Sequence, residues 1–171
     1  MRFRASWLAA STLAALALSA PASAADKAQA TLKDPDGKEV GHATLFGTTG
    51  GVLISLNLTA VPAGERAFHI HAVGKCEPPK FESAGPHFNP EEHQHGMMNP
   101  KGPHAGDMPN LHVPESGAVQ IEVLNSTVAL TEASLLDTDG SAIVIHASAD
   151  DYKTDPAGNA GDRIACGVIT P

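Results

Sequence analysis

The chain has 171 residues, a formal net charge of -8 at neutral pH and 42% hydrophobic residues. Its length fits a single domain with a short N-terminal extension. An acidic surface argues against partners such as nucleic acid or an anionic membrane.

Residues 1–24 have the three parts of a secretory signal peptide. Arg2 and Arg4 give a positive start, an apolar run covers residues 7–18, and an A-x-A cleavage site ends at Ala24. The apolar run is shorter than the roughly 20 residues that span a bilayer, which argues against a membrane anchor. We predict cleavage after Ala24 and a folded domain at residues 25–171. This domain has 9 basic and 19 acidic residues, a formal charge of -10.

The rest of the chain has the pattern of an all-β protein. Short β-branched or alternating runs are separated by Gly, Pro, Asn and Asp, and helix signals are almost absent. Residues 34–37 and 47–51 have turn chemistry. Eight strands are predicted, at residues 28–33, 39–46, 52–59, 65–71, 110–113, 118–124, 142–146 and 164–169. Eight strands are enough for a sandwich or a flattened barrel.

Two long irregular segments interrupt the strand pattern, at residues 74–109 and 147–163. Loops of this length inside a compact domain are usually functional or disordered. The first segment is rich in Pro, Gly and His. Its histidine content favours a loop that is ordered by metal ions over a disordered one.

The two cysteines, Cys76 and Cys166, would be exported with the domain. An intrachain disulfide is their simplest use in an oxidising compartment, although two unrelated buried thiols remain an alternative. A bridge closing a loop of about 90 residues would stabilise the fold by roughly 4 kcal/mol in the chain-entropy model.

Histidines on two predicted strands suggest a first metal site. His69 and His71 are two positions apart, so their side chains point to the same face of a strand. Such a pair alone is weak evidence, because it also fits an exposed strand face. His146 ends an apolar strand, and by itself it is more typical of a structural residue than of a ligand.

A second set of candidate ligands lies in the first irregular segment. His87, His95, His104 and Asp107 offer three imidazoles and one carboxylate, which suits a closed, structural zinc site. The absence of a CxxC pair favours copper and zinc over a thiolate site. Because zinc does not change oxidation state, redox chemistry would fall to a copper ion near His69, His71 and His146.

The stretches that contain these residues resemble the copper–zinc superoxide dismutase family, in its bacterial exported type. The matching motifs are FHIH at 68–71 with Gly74 and Cys76, SAGPHFNP at 83–90, HG at 95–96, HAGD at 104–107, VIH at 144–146 and GNAGDRIACGVI at 158–169. They cover essentially all of the predicted domain. The resemblance implies an all-β, eight-stranded antiparallel Greek-key barrel or sandwich of immunoglobulin-like architecture, with two long functional loops.

The resemblance also implies one copper and one zinc per subunit, with His87 bridging the two. The implied copper ligands are His69, His71, His87 and His146. The implied zinc ligands are His87, His95, His104 and Asp107. Asp150 would link His69 to His95 through the ring nitrogens that face away from the metals. Without the resemblance, Asp150 would be interpreted as an exposed loop aspartate.

The implied activity is dismutation of superoxide to oxygen and hydrogen peroxide by redox cycling of copper. His87 would deliver a proton, and Arg163 would attract the anion despite the acidic surface. Lys153, the only lysine in its loop, is a further candidate for steering, because the steering residues of eukaryotic relatives are not clearly matched. The expected location is periplasmic or secreted, without nucleic acid or membrane partners, and a homodimer is as compatible with the sequence as a monomer.

Two other functions are compatible with the candidate ligands. The first is a metal-binding protein of the same fold that stores or delivers copper or zinc, although the retained ligands and arginine favour the enzyme. The second is a zinc hydrolase, which needs an open zinc position and a general base. His42, His93 and His112 fall outside the ligand pattern and are predicted to be surface residues, with His93 a potential competitor for metal.

Overall fold

The computed structural model describes residues 25–171, and the predicted signal peptide lies outside the described residues. The regular structure is almost entirely β-strand, with one short 3-10 helix at Glu82–Ala84. The strands are β1 (Lys27–Lys33), β2 (Glu39–Thr48), β3 (Gly51–Leu58), β4 (Gly64–Arg66), β5 (Phe68–His71), β6 (Leu111–Val113), β7 (Val119–Asn125), β8 (Ala142–His146) and β9 (Arg163–Val168). No helix within residues 25–171 is long and apolar enough to cross a membrane.

Seven of the strands form one antiparallel sheet, in the order β5-β8-β9-β1-β2-β3-β7, and β4 pairs with β6 in a second sheet. The larger sheet is curled into a half-barrel. Alternate residues point inward, as the strand period requires. On β3, for example, Ile54, Leu56 and Leu58 are buried. The all-β antiparallel fold predicted from the sequence is confirmed.

The predicted strand at residues 65–71 is divided in the structure. Residues up to Arg66 pair with β6, whereas residues from Phe68 onward pair with β8. Between them, the N–H of Ala67 donates to the carbonyl of Ser148, and its carbonyl accepts from the N–H of His146. The change of pairing partner depends on tertiary contacts, so the local sequence pattern does not predict it. The other predicted strands agree with the observed bounds within two residues.

The two long loops, between β5 and β6 and between β8 and β9, pack against each other. The N–H of Met98 donates to the carbonyl of Tyr152 at 2.9 Å, and the N–H of Asn110 donates to the Tyr152 hydroxyl at 2.7 Å. A disulfide between Cys76 and Cys166, 90 residues apart in sequence, joins the first loop to β9. The loops therefore form one layer at the end of the sheet that carries β5 and β8.

Candidate metal centre

Four buried histidines from two strands and one loop form the first candidate site. His69 and His71 lie on β5, and His146 ends the neighbouring strand β8. His87 comes from the first loop, where an isolated bridge pairs it with His71. The four side chains are at most 4% exposed, and one ring nitrogen from each lies within 4.8 Å of the others. We call these residues the copper group.

Protein acceptors fix the outer nitrogens of three of these rings. His71 Nδ1 lies 2.9 Å from the carbonyl oxygen of Gly85, and His146 Nδ1 lies 3.3 Å from that of Gly161. His69 Nε2 lies 2.9 Å from Oδ2 of Asp150. Because an oxygen acceptor requires a proton on the facing nitrogen, the opposite nitrogen of each neutral ring carries a lone pair.

The inner nitrogens converge without a donor between them. His69 Nδ1 and His87 Nε2 are buried and have no hydrogen-bond partner among the described residues. The inner Nε2 atoms of His71 and His146 are 3.4 Å apart. Buried lone pairs are normally satisfied, and a cation would satisfy all of these together. The copper group thus fits a metal ion, and an all-imidazole set suits copper.

The rings of His71, His87 and His146 are neutral at neutral pH. Burial, together with a smaller effect of the neighbouring ring of His69, lowers the pKa of His146 to about 3. Burial likewise lowers the pKa of His87 to about 4, against the opposing effect of a hydrogen bond with Asp107. The pKa of His71 is also well below its usual value, mainly because of burial. Neutral rings are the form that binds metals.

Three histidines and one aspartate of the first loop form the second candidate site, which we call the zinc group. Asp107 Oδ1 lies 2.9 Å from Nδ1 of His87, 3.0 Å from Nδ1 of His95 and 3.4 Å from Nδ1 of His104. Its other oxygen, Oδ2, accepts hydrogen bonds from the main-chain N–H groups of Gly96 and His104. These two bonds aim Oδ1 at the three rings.

The electrostatics of the zinc group favour an ionised aspartate. Burial alone would raise the pKa of Asp107, but hydrogen bonds with the rings of His104, His87 and His95 hold it well below its usual range. Three imidazole nitrogens and one carboxylate oxygen make a complete tetrahedral set for zinc. His87 is common to both groups, with Nδ1 in the zinc group and Nε2 in the copper group.

Asp150 joins the two groups from the second loop. Its Oδ2 faces His69 Nε2 at 2.9 Å, and its Oδ1 faces His95 Nε2 at 3.0 Å. The residue is 4% exposed, and its N–H donates to the side chain of Asn110. Burial would raise the pKa of Asp150, but the hydrogen bonds with His69 and His95 lower it. Asp150 therefore orients one ligand in each group.

Arg163 lies at the mouth of the copper group. Its two terminal nitrogens donate to the carbonyls of Phe81 at 2.6 Å and Gly85 at 2.7 Å. The side chain lines a cleft that His71, His87 and His146 also line. Arg163 is the only lysine or arginine among the described residues that line this cleft, and Lys153 is exposed and outside it.

The geometry agrees with comparisons to known proteins. The family model described as Copper/zinc superoxide dismutase (SODC) matches residues 39–169. The chain belongs to the copper/zinc superoxide dismutase family. It is 52% identical to Superoxide dismutase [Cu-Zn] 1 of Aquifex aeolicus over 147 residues, which are 84% of this chain and 87% of that protein.

Solved structures of family members share the fold. A SOD-like protein from Bacillus subtilis superposes with a TM-score of 0.80 at 41% identity, covering 83% of this chain and 97% of that one. The Cu/Zn superoxide dismutase from Brucella abortus superposes with a TM-score of 0.70 at 27% identity, covering 84% and 99%. The predicted barrel of the copper/zinc superoxide dismutase family is therefore confirmed.

The remaining histidines lie outside both groups of this family member. His42 and His112 are exposed on β2 and β6. His93 is also exposed, with Nδ1 at 3.1 Å from the carbonyl of Pro103 and Nε2 at 3.4 Å from Glu91.

Sequence reasoning missed two residues that contact the site. The guanidinium of Arg66 donates to the carbonyls of Pro62, Ala63 and Ala147, and so ties β4 to the residue that follows His146. Asp155 accepts a hydrogen bond from the main-chain N–H of His95. These contacts join residues 81 and 60 positions apart, so no local pattern marks them.

Proposed function

We propose that the chain dismutates superoxide to oxygen and hydrogen peroxide, with copper bound by the copper group and zinc by the zinc group. The proposed copper ligands are His69, His71, His87 and His146. The proposed zinc ligands are His87, His95, His104 and Asp107. The observation that carries the proposal is the convergence of unpaired, buried imidazole nitrogens on one point, beside a complete zinc set that shares His87. Copper bound there would supply a redox centre able to take an electron from one superoxide and give it to a second.

The zinc group has a structural role in this proposal. Its four side chains fill a tetrahedral set, which leaves no position for a substrate and argues against a zinc hydrolase. All four come from the first loop, so a bound zinc ion would cross-link distant parts of that loop. Through His87, the zinc group also fixes the orientation of a ring in the copper group.

His87 is the residue that can hold and release a proton at the reaction site. Its Nε2 is buried and faces the copper group, while its Nδ1 is held beside Asp107 at 2.9 Å. A ring fixed at one nitrogen keeps the other aimed at the same point in both protonation states. We assign to His87 Nε2 one of the two protons that hydrogen peroxide needs, and the second comes from solvent water.

Arg163 binds the superoxide anion beside the copper group. Its guanidinium donates to two neutral carbonyls and, within residues 25–171, forms no salt bridge, so no carboxylate is bound directly to its positive charge. A fixed positive charge in a cleft with low-dielectric walls attracts an anion at short range. The two carbonyl contacts also hold the guanidinium at the mouth, beside the ring of His71.

The active enzyme would be residues 25–171, exported to the periplasm or beyond the cell. Two features support this location. The Cys76–Cys166 disulfide is of a kind that persists in oxidising compartments. The first 24 residues carry the charge, apolar run and small-residue site of a signal peptide.

The test is to load the purified protein with both metals and to measure superoxide removal. We expect one copper and one zinc per chain, an electron paramagnetic resonance spectrum of an all-nitrogen cupric site, and rapid removal of superoxide. A metal carrier of the same fold would bind both ions without removing superoxide. Full occupancy without activity would therefore refute the enzyme and favour the carrier.

A further inference from the structure

Asp155, in the loop between β8 and β9, contacts two residues of the zinc group. Its Oδ1 accepts a hydrogen bond of 2.7 Å from the main-chain N–H of His95. The same oxygen lies 3.8 Å from Nε2 of His104, while the Asp155 side chain is 48% exposed. One carboxylate oxygen therefore faces the backbone of one proposed zinc ligand and the ring of another.

The orientation of His104 makes this contact relevant to metal binding. Its Nδ1 lies in the zinc group, 3.4 Å from both Asp107 Oδ1 and His87 Nδ1. A neutral ring that binds a cation through Nδ1 carries its proton on Nε2. That proton then points towards Asp155. The separation is longer than a direct hydrogen bond, so the contact is electrostatic.

The loop around Asp155 is held by its own hydrogen bonds. Oδ1 of Asp151 accepts from the N–H groups of Lys153 and Thr154, at 2.9 and 2.8 Å. Oδ2 of Asp151 accepts from the Thr154 hydroxyl at 2.6 Å and from the Asn159 amide at 2.9 Å. Thr154, the residue before Asp155, is thus held on both its backbone and its side chain, which restricts the backbone from which Asp155 extends towards the zinc group.

We propose that Asp155 is a positioning residue for zinc, which orients the ring of His104 and the backbone at His95 from the second loop. The inference deepens the proposed function, because it rests on the assignment of zinc to this group. Asp155 would act on His104 as Asp150 acts on His95, with a carboxylate at the nitrogen that faces away from the metal. Such outer partners change metal affinity by roughly 10–100-fold, and the half-exposed position of Asp155 predicts the lower end.

The experiment measures the zinc dissociation constant of residues 25–171 by competition with a chelator. We expect Asp155→Ala to bind zinc about 10-fold more weakly than the wild type. Asp155→Asn should lie between the two, because its amide oxygen still accepts from His95 but carries no charge towards His104. Asp162→Asn removes the same charge from an exposed position in the same loop and should leave the zinc affinity unchanged. The visible spectrum of cobalt bound in place of zinc gives a second readout of ligand geometry.

Affinity is the readout because Asp155 also lines the cleft, where a charge change would alter the approach of superoxide. A zinc affinity of Asp155→Ala within about twofold of the wild type, or an equal loss in Asp162→Asn, would overturn the inference. So would a loss of urea stability in the zinc-free Asp155→Ala variant that accounts for the weaker binding, since it would assign Asp155 to loop packing. A wild-type chain that binds no zinc refutes the proposed function instead.

Discussion

In most of the proposed histidine ligands, the two ring nitrogens have different partners. For His69, His71, His95 and His146, one nitrogen faces the metal position and the other faces a carboxylate or a main-chain carbonyl. This second contact fixes both the proton position and the ring plane. His87 differs, because both of its nitrogens face a metal position. Its orientation therefore depends on the metals and on Asp107.

Replacing His146 should abolish copper binding but not zinc binding. His146 belongs only to the copper group, so we expect His146→Ala to lose copper and activity while zinc binding remains. Metal analysis after dialysis, together with superoxide removal, measures both effects. His42→Ala removes an exposed histidine from β2 and serves as the matched control. Equal loss of both metals in His146→Ala would contradict the separate assignment.

Reversing the charge of Arg163 should slow the reaction without emptying either site. Arg163→Glu puts an anion in place of the one lysine or arginine that lines the cleft within residues 25–171, and we expect the second-order rate constant to fall by about 10-fold or more. Lys153→Glu makes the same charge change at an exposed position outside that lining. Pulse radiolysis with metal analysis is the measurement. An equal fall in both variants would mean that net charge, and not position, controls the rate.

At the scale of elements, the disulfide and the packed loops hold the site to the sheet. Cys76 lies in the first loop and Cys166 lies in β9, three residues after Arg163. The bond therefore connects the loop that contains Phe81 and Gly85, whose carbonyls hold Arg163, to the strand that carries Arg163. A contact between these elements does not depend on the metals.

Removing both cysteines should therefore destabilise the protein even without metals. For a closed loop of this length, the free energy of unfolding of the Cys76→Ser, Cys166→Ser double variant should fall by about 2–5 kcal/mol. Urea unfolding of the metal-free proteins measures this, with chemically reduced wild type as the control. If the double variant and the oxidised wild type had the same midpoint and slope, the bond would have no stabilising role.

At the scale of the whole molecule, the net negative charge of the protein repels the superoxide anion. The chain carries a net charge of -8. The cleft that contains Arg163 is also lined by four acidic residues, Glu82, Asp137, Asp139 and Asp155. In its proposed role, Arg163 therefore attracts superoxide only at short range, inside a field that repels anions at longer range.

The dependence of the second-order rate constant on salt concentration should show whether long-range repulsion or short-range attraction dominates. Screening acts first on long-range repulsion, because the Debye length falls from about 30 Å at 0.01 M to about 8 Å at 0.15 M. We expect the second-order rate constant to rise, by roughly twofold, over this range. Asp139→Asn removes one repelling charge and should reduce the rise. A rate that falls steadily with added salt would mean that attraction dominates at all distances.

Local patterns in the sequence predict most of the sheet but only part of the site. The two-residue period of a β-strand places the side chains of His69 and His71 on the same face, and turn residues mark the ends of the strands. His146 by itself is a weak candidate ligand, because one histidine at the end of an apolar strand has many uses, and the family resemblance is what adds it to a defined ligand set. Asp150 looks like an exposed loop residue by its chemistry, yet it is buried between two ligands. Contacts made by folding of distant segments, such as those of Arg66 and Asp155, have no local signal.

The positions of the ligands along the chain also set an order of assembly. The four proposed zinc ligands lie between residues 87 and 107, so they have all been made before His146 is added to the polypeptide. The copper group needs His146, and the disulfide needs Cys166, and both residues come after the last proposed zinc ligand in the chain. During synthesis the proposed zinc ligands are therefore complete first, whereas the copper group is complete only after His146 has been added. Such an order delays the binding of redox-active copper until after the proposed zinc ligands have been made.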